Sequence, residues 1–193
     1  MTEASALDLP GLRSEGLHSR HVTGLPAPDP PPRTPRTGAE KDLLIAQLDH
    51  KATILLRKVA GLSEEDLRLR PTASSLCLHG ILKHCAYDYR WWFRKQFAGE
   101  DVSFDWADED PDFDFRPEPD ETAEDIAAFF GDEVERARAI IAATDLDDLA
   151  RAPQPGLKEA SLRGIMLHMI AALSRHLGHA DIIRETIDGS TGD

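Results

Sequence analysis

Apolar residues fall into four runs with a helical period. Leu44, Leu48, Ala52, Leu55 and Val59 recur at steps of four, four, three and four, which predicts an amphipathic helix from about Glu40 to Ala60. Gly61 ends it, and Ser63 with Asp66 three residues on has the form of a cap for a short following turn. A second helix is expected from Ser74 or Ser75 to Gly99, with Leu78, Ile81, Leu82, Cys85, Tyr89 and Trp92 as its apolar stripe. Thr122 and Asp125 form a capping pair for a third, carrying Ile126, Phe130, Val134, Ala137 and Ile141 and ending near Thr144. Ser161 caps a fourth, on which Leu162, Ile165, Met169, Ala172, His176, Ala180, Ile183 and Ile187 keep one phase as far as Gly189. With no alternating strand pattern, four such helices predict an all-α protein, a four-helix bundle.

The segments between and before the helices complete the organisation. Residues 1–38 hold seven of the thirteen prolines and no apolar periodicity, so they are expected to form a disordered or polyproline-like tail, leaving 39–193 as the single domain. Within the tail, PPPRTP has the character of a segment that docks in an aromatic groove, although a solvated extension is the simpler reading. Between the second and third helices, a long acidic loop carries Phe104, Trp106, Phe113 and Phe115 among its carboxylates, and these aromatics are expected to pin it to the bundle.

Charge and cysteine usage narrow the function. Of the net charge of -13, nearly all comes from Glu100 through Asp125, where thirteen acidic residues face Arg116 alone. The rest of the chain is close to neutral, so the basic face that nucleic-acid binding requires is missing. No run of 18 apolar residues occurs and the start MTEASALDLPG has no leader-like pattern, which predicts a cytoplasmic protein without membrane spans. Cys77 and Cys85, eight residues apart on one helix, are too far apart along the axis to bridge each other.

The candidate chemistry is histidine chemistry. His176 occupies the core stripe of the fourth helix where leucine or isoleucine is ordinary, and a buried imidazole needs hydrogen-bond partners or a metal. His179 lies three residues on and reaches the same region. On the second helix, His84 borders the inward face beside Cys85, with Asp88 one turn further. Ligands from facing helices of a bundle converge on a core site, and neutral imidazole suits zinc, nickel or iron.

The segments LKHCAYDYRWWF and LRGIMLHMIAALSRHLGHADIIRETIDGSTG, with GLSEEDLRLRPTASSLCLHGILKH between the first two helices, resemble an actinobacterial branch of the DinB-like, or YfiT-like, superfamily of metal-dependent enzymes over about residues 43–193. That resemblance implies a DinB-like four-helix bundle, often a homodimer, with a divalent metal between helices. It also implies a small-molecule substrate and a low-molecular-weight thiol as co-substrate, because relatives include mycothiol-dependent maleylpyruvate isomerase and bacillithiol transferases. Carried across, the metal ligands fall on His84 and His176. The remaining ligand position falls on Ala172, where the branch usually has a carboxylate, so His179 or Asp88 is left to supply the third donor. Two functions stay open: a metal-dependent thiol transferase or hydrolase whose catalytic residues the sequence does not name, and a non-catalytic bundle that kept the fold and lost the metal, acting as a small-ligand binder or interaction protein.

Overall fold

The computed structural model describes residues 24–104, 110, 112–152 and 160–192. Among the described residues, five α-helices run in the order α1 (Glu40–Val59), α2 (Glu64–Arg68), α3 (Leu78–Tyr89), α4 (Ala123–Ala142) and α5 (Leu162–Asp188). Four of these are the long helices of the expected bundle, and α2 is the short turn whose N-terminus Ser63 caps, its hydroxyl accepting from the Asp66 amide. Among the described residues there is no helix long and apolar enough to cross a membrane.

The helix boundaries follow their local chemistry. Thr122 and Asp125 form a reciprocal capping box at α4, and the Ser161 hydroxyl accepts from Gly164 N at α5. Gly99 and Gly189 end their helices in the left-handed region at φ 69° and 78°, which an L side chain adopts only with strain. One boundary differs from expectation: α3 begins after Cys77, whose sulfur accepts from Gly80 N, rather than at Ser74 or Ser75. Those two serines precede the helix in irregular chain, where Ser74 is engaged with Thr72.

Beyond Tyr89 the second long helix widens into a π-helical segment, Arg90–Ala98. The extra residue per turn re-aims the side chains, and Phe93, Gln96 and Phe97 are turned into the core. Arg90 and Arg94 both grip the buried Glu133 carboxylate of α4, at 2.9 and 2.8 Å, tying this segment to its neighbour. Helix α3 packs most extensively against α4, and α1 against α5, with α3 also lying on α5. A continuous core of Leu55, Leu78, Ile81, Phe93, Phe130, Ile165 and Met166 fills the space between them.

Residues 24–38 are extended chain laid along α1. Leu25 O accepts from Gly61 N at 2.9 Å, Pro28 O from Arg57 at 2.7 Å, and Pro32 O lies 3.3 Å from the His50 ring. The earlier part of the proline-rich segment, residues 1–23, lies outside the described residues, as does Trp106 of the acidic loop.

Candidate metal centre

Helix α3 presents His84 and Asp88 one turn apart on one face, and α5 brings His176 against them. Donor atoms of these three residues all lie within 4.8 Å of one another. The rings of His84 and His176 meet edge to face with centres 4.7 Å apart, and His84 Nε2 is 3.3 Å from Asp88 Oδ2. Bonds of about 2.0–2.1 Å in a tetrahedral site put donors roughly 3.3 Å apart, so this pair already has a suitable spacing.

His84 is oriented from behind. Its Nδ1 donates to Asp114 Oδ2 at 2.8 Å, which leaves Nε2 facing Asp88 and His176. Asp114 belongs to a single 3-10 turn, Phe113–Phe115, in the acidic segment. Phe115 of the same turn stacks on the His84 ring at 3.8 Å between centres. A carboxylate behind a ligating imidazole fixes its tautomer and raises its basicity.

Two residues of α3 dock that turn. Gly80 lets the backbone come close: a Cβ built there would stand 2.0 Å from Phe115 O. Lys83, fully buried, donates to Arg116 O at 3.0 Å, pairs with Glu121 at 2.8 Å and lies over the Phe113 ring. Phe104 and Phe113 pack against Tyr87 with ring centres 5.9 and 6.5 Å away. The described part of the acidic segment around residues 113–116 is thus seated on one face of α3, with Asp114 inserted at the donor group.

The electrostatics separate the two imidazoles. Burial disfavours the His84 cation, but hydrogen bonds to Asp114 and Asp88 outweigh it and raise its pKa to about 9. Burial and the neighbouring positive His84 lower His176 to about 4. Neither His176 ring nitrogen has a hydrogen-bond partner among the described residues, although the side chain is 5% exposed. An imidazole buried neutral without partners is costly as hydrogen-bonding chemistry and well suited to coordination, because its lone pair is free of protons near pH 7. Two imidazoles, a carboxylate and a carboxylate behind one imidazole fit a divalent transition metal.

His179 stands apart from this group. It is exposed, its ring centre 6.2 Å from that of His176, and it is not one of the three converging donors. Ala172 is buried one turn before His176, so no carboxylate approaches from that position on α5; the acidic donor comes from α3 as Asp88. His168 packs on Trp92 instead, at 4.3 Å. Burial pushes the Cys85 thiol well above its ordinary range, which makes it a packing residue and not a nucleophile. Asp114, Gly80 and Lys83 were not singled out by sequence. Only Gly80, a glycine inside a helical stripe, leaves a signal there.

The pH dependence follows from His84. A metal takes the neutral imidazole, so at pH 7 binding must displace the His84 proton, and affinity is expected to rise about tenfold per pH unit until near pH 9. His176 contributes no such slope above its value of about 4. In Asp114→Asn the imidazolium loses a carboxylate partner, so the rise should shift to lower pH while affinity falls about 10- to 100-fold. Metal titrations at about pH 6, 7 and 8 check both; an unchanged profile would mean that Asp114 does not hold His84.

A helical bundle with imidazole and carboxylate donors from two facing helices belongs to the class that builds sites in its core. Within that class, the model of the Mycothiol-S-transferase family matches residues 43–189, and the chain belongs to this family. Its fold is shared with the crystal structure of a conserved protein from Enterococcus faecalis, at TM-score 0.59 and 12% identity over 80% of this chain and all of that one. Comparison with the curated proteins returned no match.

Proposed function

We propose that the protein is a divalent-metal-dependent transferase that joins a low-molecular-weight thiol, mycothiol or a close analogue, to an electrophilic small molecule. The observation that carries this reading is the convergence of His84, Asp88 and His176, with His176 buried and unpartnered among the described residues. Family membership supports the thiol chemistry. Asp88 supplies the acidic donor that Ala172 does not, which favours a working site over a degenerate one.

When bound, a divalent cation supplies the positive charge that stabilises a thiolate near neutral pH. His84, Asp88 and His176 hold that cation. Asp114 keeps His84 Nδ1 protonated and its Nε2 turned inward, and Phe115 stacks on the ring and holds its plane. In the transfer, the thiol sulfur forms a bond to the electrophilic carbon as that carbon's bond to its leaving group breaks, the leaving group departing with the electron pair and the thiol proton going to solvent.

The test is thiol consumption in the presence of an electrophile, with protein stripped by chelator and then reloaded with zinc, nickel or iron. Metal-dependent acceleration is expected, and its loss in Asp88→Asn. Metal-replete protein that leaves the uncatalysed rate unchanged would refute transferase activity; failure to retain metal at micromolar supply would favour the non-catalytic, small-ligand alternative.

A further inference from the structure

His79 lies on α3 one turn before Lys83, its side chain fully buried and neither ring nitrogen partnered among the described residues. The Glu121 carboxylate is 3.8 Å from its Nε2. That carboxylate is already taken: Lys83 Nζ meets its two oxygens at 2.8 and 3.0 Å, and Glu118 N donates to it at 2.9 Å. Arg68 of α2 donates to the carbonyl oxygens of Glu118 and Glu121, and Glu64 of α2 accepts from Ala123 N at 2.6 Å. The stretch from Arg116 to Ala123 is therefore fastened by α2 and α3, and it carries the Asp114 turn at one end and α4 at the other.

The charges that bear on the His79 ring are Arg68 and Glu64 from α2, Lys83 from its own helix, and Glu121. With His79 neutral they balance, two cations against two carboxylates. One proton on His79 adds a third cation, with no water around it and no free carboxylate to meet it. Burial and the Arg68 charge accordingly hold its pKa below the ordinary imidazole value of 6.5. We propose that His79 is an acid-sensitive catch for the 113–121 segment: on taking a proton it competes with Lys83 for Glu121 and unseats the segment, withdrawing Asp114 from His84. Unseating frees an imidazole that binds a proton at about pH 6.5, whereas the seated one does not. The hold that depends on a neutral His79 is thus complete above about pH 6.5 and is lost as pH falls from there through its lowered pKa. His84 works the other way, since Asp114 favours its cation, so the two imidazoles have to be separated.

The test uses the full chain with chelator present, so it stands whether or not the metal centre holds an ion. Amide hydrogen exchange is followed at Phe115, Arg116, Glu118 and Glu121, whose amides are bonded in the seated segment, with amides in the middle of α5 as reference. Neither His79→Leu nor His79→Gln can titrate, and one well-folded variant of the two suffices. Between about pH 7.5 and 5.5, protection of the segment in the wild type relative to the variant is expected to fall about tenfold, the weight of one proton per opening. The His84 contribution is common to both proteins and cancels, and α5 should show no such fall. In the wild type, the His79 ring followed by NMR should titrate below about pH 6.5. A flat ratio of wild type to variant, an equal fall in α5, or a His79 ring that titrates at its ordinary value or above would each overturn the assignment.

Discussion

Replacing His176 with alanine is expected to abolish stoichiometric metal binding while leaving the metal-free fold essentially intact. The two halves of that expectation have one cause. With neither ring nitrogen partnered among the described residues, the imidazole contributes little to the metal-free protein beyond its packing, and its removal also removes a buried polar group. Its loss leaves His84 and Asp88, two of the three converging donors among the described residues, too few to retain a divalent metal. For the wild type, metal at about 100 times its Kd adds roughly 2.7 kcal/mol to stability, which raises Tm by about 5–10 °C in a domain of this size. Calorimetry with and without zinc should show that increment in the wild type and nothing in His176→Ala. A variant that keeps the metal-dependent rise would remove His176 from the site.

The second large effect is expected from a residue that donates nothing. In Gly80→Ala, the new methyl would stand 2.0 Å from Phe115 O, and because the obstacle is backbone it has no rotamer to move to. Overpacking of this kind costs about 1–3 kcal/mol, whereas alanine gains about 1 kcal/mol over glycine in a helix, so the net loss of stability is modest. The turn moves instead, and Asp114 and Phe115 withdraw from His84. Metal affinity should then fall about 10- to 100-fold, as for other losses of a supporting carboxylate. Gly131 on α4 has open space around its missing Cβ, so Gly131→Ala is the matched control: slightly more stable, with unchanged metal binding. Equal affinities in the two variants would show that the 113–115 turn is not needed at the site.

The helices were legible in sequence because each apolar stripe keeps one phase and most ends carry their own chemistry, as at Thr122, Ser161 and Gly189. The start of α3 was not, since Cys77 is a weak acceptor and the nearby serines are the better caps. His84 and His176 stood out through their type and phase. Asp88 and His179 were equivalent as third donors on spacing alone, because helical period does not say how far α3 and α5 are rotated towards each other. The structure brings Asp88 to the pair and leaves His179 exposed beside it. Asp114 was one of thirteen acidic residues in its stretch, distinguished only by where Gly80 and Lys83 seat the turn.

The donor group draws on residues that are far apart along the chain. His84 and Asp88 come together as soon as α3 forms, but His176 lies 92 positions after His84 and arrives only when α5 docks. A metal spanning them would act as a reversible cross-link between the two helices, made late in folding and broken early in unfolding. Its grip would therefore appear as slower unfolding and longer survival against proteases, with little change in the rate of folding.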